Sequence, residues 1–473
     1  MTSPSEPSDL VPADATYESV TADISNVVLE RPVRRGWVFG LLIGLLLLNV
    51  LLVSIGWLFL MGVGTWGINV PVGWGLAIVN FVWWIGIGHA GTLISAILLL
   101  FHQKWRTSIN RFAEAMTLFA VACAGLFPLL HLGRPKFFYW LVPYPATTDV
   151  WPQFRSPLVW DFFAVSTYAT VSALFWYLGL VPDLATMRDR AKQRWKAQTF
   201  GVFAFGWRNS ATHWEHYQKA YLLLAAIATP LVVSVHTTVS WDFSTAIVPA
   251  WHSTVFPPYF VGGAIFAGFA MVLVISIPLR QFYNLKHLVT AKHLDNMAKV
   301  MLAAGLSVSY GYLMDSWGAW YKNEPYDSYI YTNRFSGPDA AYYWALVVCN
   351  CVIPQLLWFP SVRRHPLTLF GIALVINVGM WLERLIIISL SLTRDYLPST
   401  WSTYTPTFWD WSLYAGTFGL FVTLMFLFLR ILPAISMAEM RDLVHEQHED
   451  QRSEGRRAEG RQSSDDTQQE SAS

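Results

Sequence analysis

Apolar residues fall into about ten long runs separated by short polar stretches. Each run has about 20 apolar residues, the length that an α-helix needs to cross a hydrocarbon core about 30 Å thick. The runs lack the ten-residue alternation of outer-membrane strands, and backbone groups in lipid must bond internally, so each run predicts a helix. The predicted helices cover residues 37–62, 72–101, 109–131, 157–181, 214–237, 258–283, 294–317, 339–359, 365–391 and 408–432.

Composition places the chain among all-α integral membrane proteins. Of its 473 residues, 54% are apolar and only 13% are charged. The formal net charge of +1 provides no attraction for nucleic acid. We expect an N-terminal segment at residues 1–35 and a ten-helix membrane domain at residues 36–433. Residues 434–473 are rich in charged and polar side chains, bury too little surface to fold alone, and predict a disordered tail.

The distribution of Lys and Arg orients the predicted helices. Ten spans put both termini on one side of the membrane, and positive charge is enriched in cytoplasmic loops. The loops on the side of the termini are rich in these residues, for example Arg34, Lys104, Arg188, Lys286 and Arg363. The other loops have few, namely Arg134, Lys136, Arg155, Lys322, Arg334 and Arg394. We therefore expect both termini to be cytoplasmic.

The cysteines and histidines give no pattern for a bound redox centre. Cys123, Cys349 and Cys351 lie in apolar runs and form neither a haem-attachment motif nor a four-cysteine cluster set. Haem b would need histidines at matched depth on facing helices, whereas His89 and His102 share one predicted helix. We expect no metal, haem or iron–sulfur cluster in this chain.

Two ionisable residues at the ends of consecutive predicted helices are the leading site candidates. A charged group inside a bilayer costs at least about 2.5 to 3.5 kcal/mol, so such residues are candidates for function. His131 closes one helix in FPLLHLGRP, and Asp161 opens the next in SPLVWDFFAVS. Because these helices run antiparallel, both residues can lie near the outer face. His131 would accept a proton from a quinol, and Asp161 would bond the second hydroxyl or orient the imidazole; the alternative is a structural pair.

Further histidines and acids fall in or beside the predicted helices. His236 and Asp242 lie in VHTTVSWDFS, which places them at the outer face and repeats the tripeptide WDF that contains Asp161. They predict either a second protonatable cluster or polar groups that stabilise a helix end. His89 lies in mid-helix among three glycines, which let neighbouring helices approach closely. It is either a packed histidine or part of a proton relay or quinone pocket.

The remaining candidates are Asp315, Glu383, Arg384, Glu114 and Arg134. Asp315 lies near the outer end of its helix. Neighbouring residues on a helix diverge by about 100°, so we expect Glu383 and Arg384 to reach different partners, and one could serve a proton path. Glu114 could end such a path on the cytoplasmic side, although a carboxylate at the membrane boundary is the simpler interpretation. Arg134 is expected to extend towards the membrane surface.

The motifs HLGRP, SPLVWD and VSWDF, with a proline-rich aromatic loop at residues 132–156, resemble the NrfD/polysulfide-reductase membrane-subunit family. Within it, the ten spans and the runs FFYWLVPYP and WPQFRSPLVWDFFAVSTY are most similar to the quinol-oxidising ActC subunit of bacterial alternative complex III. The resemblance implies two four-helix bundles, at about residues 72–237 and 258–391, with two additional helices. It also implies a menaquinol site near the periplasmic face of the first bundle, with His131 and Asp161 at the motif positions.

The resemblance also implies a function and partners in a bacterial inner membrane. Menaquinol would be oxidised near the periplasm, with proton translocation as a further property. The partners would be a periplasmic iron–sulfur subunit of the molybdopterin-oxidoreductase type, c-type cytochrome subunits, a homologous ten-helix subunit and, in some assemblies, a terminal oxidase. One alternative is the quinone-linked membrane anchor of a molybdopterin-type reductase. Another is a secondary transporter, which should place broken helices around a midplane site, whereas the polar residues here cluster outward.

Overall fold

The computed structural model describes residues 10–12, 14–141, 156–449 and 451–452. Ten of its helices are long and apolar enough to cross a membrane, and the described residues form no strand. The prediction of an all-α integral membrane protein is therefore confirmed. In chain order the helices are α1 (Tyr17–Leu29), α2 (Arg35–Met61), α3 (Leu76–Leu100), α4 (Asn110–His131), α5 (Pro157–Arg190), α6 (Arg194–Phe203), α7 (Ala211–Ser244), α8 (Phe256–Phe282), α9 (Ala291–Lys322), α10 (Pro325–Ser336), α11 (Ala340–Val347), α12 (Pro360–Arg364), α13 (Pro366–Leu385) and α14 (Phe408–Ile431).

Two faces of the bundle are defined by the ends of the spans. Helix α2 begins, and α14 ends, at what we call the terminal face; the other ends of these helices define the opposite face. The eighth span continues from α11 to Trp358 and the ninth from α13 to Thr393. In both, a π-helical turn, at Val348–Val352 and at Ile386–Leu390, interrupts the regular hydrogen bonding.

The spans agree with the predicted runs in number and order, but α5 continues nine residues beyond its predicted limit of 181 at the terminal face, and α7 is longer at its opposite-face end. It continues to Ser244, seven residues beyond the predicted limit of 237. The hydroxyls of Thr237, Thr238 and Ser240 donate to carbonyls one turn earlier in the helix, so these polar residues continue it without unpaired groups. His236 consequently lies about 12 Å before the helix end, and its predicted place at the outer face is wrong.

Helix α3 is the centre of the packing. Of its most apolar 18-residue window, 83% of the residues are buried, and it contacts α4, α7 and α8. Helices α5 and α7 pack together, as do α8, α9 and α13, while α2 packs along α14. The backbones of α2 and α14 meet closely, because a Cβ at Gly416 would lie 2.6 Å from atoms of Leu51. The grouping into two four-helix bundles stays a prediction.

Residues 437–449 form a helix at the terminal face. Their apolar side chains Met437, Met440, Leu443 and Val444 are buried. The predicted disorder of residues 434–473 is therefore wrong for this stretch, because an average composition hides an apolar stripe at helical spacing. Residues 453–473 lie outside the described residues. So do residues 142–155 of the proline-rich aromatic loop, although the loop begins with a 3₁₀ segment at Pro135–Leu141.

Candidate functional site

Two carboxyl groups lie side by side near the opposite face. Asp161 is in the first two turns of α5 and Asp242 is in the last turn of α7. Both residues are buried, and their carboxyl groups are within hydrogen-bonding reach of each other. Beside them, the rings of Trp160 and Trp241 meet edge to face with centroids 5.8 Å apart. Since a hydrogen bond between two carboxyl groups requires a proton on one of them, the pair can store an exchangeable proton.

The two copies of WDF are therefore in contact. The sequence indicates His131 as the partner of Asp161, but no hydrogen bond or ion pair joins those two side chains within the described part of the chain. The direct pairing is not formed, because the antiparallel packing of α5 on α7 turns Asp161 towards Asp242. The catalytic roles of His131 and Asp161 stay predictions.

His131 closes α4 and is half-buried at the opposite face. Its ring stacks on Trp66, with centroids 6.4 Å apart and an interplanar angle of 12°. Its Nδ1 atom is buried and makes no hydrogen bond. Both oxygens of Asp161 and the Oδ1 atom of Asp242 are likewise buried with no conventional donor. These atoms retain hydrogen-bonding capacity that a small polar ligand could use.

Two histidines meet in the interior. The rings of His89 on α3 and His236 on α7 are edge to face with centroids 4.7 Å apart, and His89 also stacks on Tyr168 of α5 at 4.9 Å. The Nδ1 atom of His89 is bonded to the carbonyl of Ile85. Its Nε2 atom and both ring nitrogens of His236 are buried without partners. The sequence places these histidines at different depths; the additional length of α7 brings them together.

Small residues around His89 allow α3 to approach a neighbouring helix, as the sequence predicts. A Cβ on Gly91 would lie 1.9 Å from the carbonyl oxygen of Ala113 in α4, so only glycine fits there. A Cβ on Gly86, in contrast, would make an ordinary contact of 3.6 Å with the Cε1 atom of His236.

Glu383 and Arg384 contact each other. Their Oε1 and Nη1 atoms are 2.7 Å apart, in an ion pair whose geometry is too bent for a hydrogen bond. The expectation that they reach different partners is wrong, because the long arginine side chain folds back towards its neighbour. Each of the two side chains also has a further contact. Tyr312 donates to the Glu383 carboxylate, and the guanidinium of Arg384 lies 4.1 Å from the ring centroid of Phe260.

Phe260 joins the two interior groups. Its ring centroid lies 5.9 Å from that of His236 and 4.1 Å from the guanidinium of Arg384. A continuous row of buried side chains thus runs from His89 on α3 to Glu383 on α13. Protonatable and aromatic groups alternate along it, so the row is not an unbroken hydrogen-bonded chain.

Asp315 belongs to a separate group at the opposite face. It accepts a hydrogen bond from Tyr331, and Arg334 lies 3.9 Å from its carboxylate. Burial and the Asp315 carboxylate raise the pKa of Tyr331, so the phenol keeps the proton that it donates. A cavity of about 240 Å³ borders Asp315 and Tyr331. Asp315 therefore lies apart from the Asp161–Asp242 pair.

Glu114 belongs to a buried ionic cluster towards the terminal face. Arg111 lies 3.4 Å from Glu114 and 3.2 Å from Asp183, and Tyr221 donates to Glu114 at 3.4 Å. The cluster continues to Glu439 of the C-terminal helix, which pairs with a further arginine of the 3₁₀ turn before α4 at 3.1 Å. Glu114 is thus an interior ion-paired carboxylate, although the sequence favours a residue at the membrane boundary.

Sequence reasoning missed Arg111, Asp183 and Glu439. Arg111 lies near the start of the predicted helix at residues 109–131, and it is fully buried within α4. The i,i+3 spacing of Arg111 and Glu114 was an available signal. Asp183 in the apolar run GLVPDLA was another. Arg134, in contrast, is exposed as expected.

No group of three or more His, Cys, Asp or Glu side chains in the described ranges is arranged to hold a metal ion. The expectation of a chain without haem or clusters stays a prediction. Electrons that reach this chain would in that case leave through a partner.

Two known proteins resemble this chain, one over most of its length and the other over less than half of it. It is 26% identical over 412 residues to a putative dimethyl sulfoxide reductase membrane subunit of Halobacterium salinarum, and the match covers 80% of this chain and 89% of that protein. It is 26% identical over 215 residues to a selenate reductase subunit of Mesobacillus selenatarsenatis, and that match covers 42% of this chain and 47% of that protein.

The family described as polysulphide reductase, NrfD, matches residues 64–394, from the turn after α2 to the end of the ninth span. That range contains Asp161, Asp242, both interior histidines and the pair Glu383–Arg384. The specific likeness to alternative complex III stays a prediction, whereas the broader resemblance is confirmed. The chain is a member of the NrfD polysulphide reductase family.

Proposed function

We propose that this chain is the quinone-linked membrane subunit of a molybdopterin-type reductase, and that it oxidises a quinol near the opposite face. The two relatives named above belong to a dimethyl sulfoxide reductase and a selenate reductase, and the first is described as a membrane subunit, which supports this assignment. One observation in the structure supports it most: near the same face, buried polar atoms of Asp161, Asp242 and His131 make no hydrogen bond and can accept one from a ligand.

The proposed reaction releases two protons and two electrons from the quinol as it becomes a quinone. One hydroxyl proton passes to the Asp161–Asp242 pair and the other to His131. The quinone that forms has no hydroxyl group left to donate to either of them. The electrons pass to a redox centre of a partner subunit. In this scheme Asp161 and Asp242 share one proton before the quinol is oxidised. The ionised member of the pair can then accept a second proton from the quinol beside it.

The proposed orientation puts the terminal face in the cytoplasm of a bacterial inner membrane. It rests on the excess of Lys and Arg in loops on that side. The catalytic partner, with its iron–sulfur and molybdopterin centres, would then dock on the periplasmic side, next to the proline-rich aromatic loop. Menaquinol is the quinol that the motif resemblance implies.

A second candidate is the quinol-oxidising subunit of an alternative complex III. It is favoured by the ten spans and by the motifs around His131 and Asp161, and it predicts c-type cytochromes and a homologous ten-helix subunit as partners. Purifying the intact complex separates the two candidates. Molybdenum with iron–sulfur clusters supports the reductase, whereas covalently bound haem supports alternative complex III and would overturn the first assignment.

Proton translocation is a further proposal from the family resemblance. The buried row from His89 to Glu383 supplies protonatable groups, but moving a charge across the membrane is worth about 2.3 kcal/mol per 100 mV and requires a switch as well as a path. Quinol oxidation by the complex in sealed vesicles should acidify one side by more protons than the quinol itself releases. A ratio equal to the chemical release would exclude pumping.

The quinol site itself is tested by three variants of the purified complex. Asp161→Asn, Asp242→Asn and His131→Gln should each lower quinol-dependent reduction of the terminal substrate while the subunits stay assembled. Asp339→Asn is the matched control, because Asp339 also lies at the opposite face but forms no part of the site. Electron transfer from an artificial donor directly to the partner should be normal in all four. Full quinol activity in the three site variants would overturn the proposed function.

A further inference from the structure

A long apolar cleft opens beside the α2–α14 pair. It has a volume of about 800 Å³ and is lined by side chains of α2, α3, α8, α13 and α14. It extends along α14 from Arg430 to Tyr414, which is about 24 Å at 1.5 Å per residue. That length exceeds one leaflet of a hydrocarbon core about 30 Å thick.

The cleft is open to the bilayer along its side. Leu374 and Val378 of α13 line it and are 43% and 56% exposed, so a hydrocarbon chain could enter from the membrane without displacing a helix. Apart from Asn377 and the arginines at one end, the walls are aliphatic and aromatic, with Trp37, Phe418 and Phe426 among them. Such walls favour a flexible apolar occupant over a polar one.

Three arginines surround the end of the cleft at the terminal face. Arg31 donates to the carbonyl of Tyr283 at 2.7 Å, Arg34 donates to that of Phe282, and Arg430 donates to those of Val27 and Arg31 at 3.1 and 2.9 Å. No carboxylate of the described residues lies within ion-pair distance of the three guanidinium groups, whereas five other arginines near this face have one, namely Arg106, Arg111, Arg188, Arg190 and Arg363. Each keeps donors for an anion, and guanidinium groups suit phosphate.

We propose that this cleft binds an anionic phospholipid, with the phosphate held by Arg31, Arg34 and Arg430 and the acyl chains along α14. The combination of three unneutralised arginines with a laterally open apolar slot is what such a lipid requires. Basic pockets between transmembrane helices recognise anionic lipid head groups in the same way. The lipid would fill the space between the α2–α14 pair and α8 and α13, and so join the outlying pair to the rest of the bundle.

A quinone is the principal competing occupant. Its head group is uncharged and has no need of three arginines, and the cleft places them at the end away from Asp161 and Asp242. A quinone head group at the deep end would instead depend on Asn377, whose Oδ1 atom is buried without a hydrogen bond. The two occupants therefore predict different sensitive residues.

Native mass spectrometry of the purified complex tests the proposal. The complex is exchanged into mixtures of phosphatidylglycerol and phosphatidylcholine, and the lipid that stays bound to this chain is counted. We expect retention of phosphatidylglycerol over phosphatidylcholine, and a loss of roughly fivefold in relative affinity for each arginine removed in Arg31→Gln and Arg34→Gln. Inorganic phosphate alone should not displace the lipid, because it lacks the acyl chains.

Arg35→Gln is the matched control, because Arg35 is the next residue along the same face and does not line the cleft. It should leave retention unchanged. Leu374→Trp fills the lateral opening without altering any charge, so it should also reduce retention of the lipid. This variant provides the test if the arginine variants assemble poorly. Equal retention of both lipids, or no effect of the arginine and Leu374 variants, would overturn the proposal. The proposal would also be overturned if a quinone displaced the bound molecule and if this displacement were changed by Asn377→Ala but not by the arginine variants.

Discussion

The carboxyl groups of Asp161 and Asp242 lie side by side, at the start of α5 and the end of α7. Two carboxylates at this separation repel each other when both are ionised, and they attract when they share a proton. The pair therefore acts as a unit, and substitution of either member removes the property that depends on both.

The first prediction concerns this unit. Asp161→Asn and Asp242→Asn should each lower quinol turnover by about 100-fold, within the range that proton-transfer groups contribute. The double variant should be no slower than the slower single variant, because residues that act as a unit are not additive. Steady-state rates of the four proteins measure this cycle. Losses that multiply in the double variant would show that the two acids act independently.

The second prediction concerns His236. Its ring nitrogens make no hydrogen bonds, so His236→Phe should keep stability within about 1 kcal/mol of the native protein or increase it. Turnover should nevertheless fall at least about tenfold if the imidazole serves proton transfer. Thermal unfolding and quinol oxidation are measured on the same preparations.

The comparison variant for His236 is His293→Phe. His293 is also buried, but its Nδ1 atom accepts a hydrogen bond from the backbone of Thr290 at the start of α9. Loss of this cap should cost about 1 kcal/mol and leave turnover unchanged. Normal turnover in His236→Phe would mark that histidine as a packing residue.

The third prediction concerns the ionic cluster around Arg111. Asp183→Leu should destabilise the protein by about 3 kcal/mol, because the buried charge of Arg111 would keep only the longer ion pair with Glu114, beside its hydrogen bonds to backbone carbonyls. Asp189→Leu, on the same helix, removes an exposed ion pair and should cost under about 1 kcal/mol. Unfolding temperatures in detergent compare the two. Equal temperatures would mean that Asp183 does not stabilise Arg111.

The fourth prediction concerns the contact between α3 and α4. A Cβ on Gly91 would lie 1.9 Å from the carbonyl oxygen of Ala113, so Gly91→Ala must push the helices apart. Overpacking of this kind costs about 1 to 3 kcal/mol. Gly125→Ala on α4 meets no atom within 4 Å and serves as the control. The yield of monodisperse protein and its unfolding temperature should fall only for Gly91→Ala.

Much of the fold follows directly from the order of residues. The thickness of the bilayer fixes how many apolar residues a span needs, so ten runs predict ten helices. The same rule places polar residues approximately in depth, because each rises along its helix by about 1.5 Å per residue. The error at His236 arose because hydroxyls bonded within the helix allow α7 to continue through a polar stretch.

The pairing of polar groups depends on how the helices are rotated and which of them pack together. Position along a helix gives a depth, but it does not tell which neighbour a side chain faces. His131 and Asp161 are matched in depth by the sequence, yet the packing of α5 on α7 joins Asp161 to Asp242. The docking of Glu439 against the Arg111 cluster is decided in the same way, because its helix becomes stable only when tertiary contacts bury its apolar stripe.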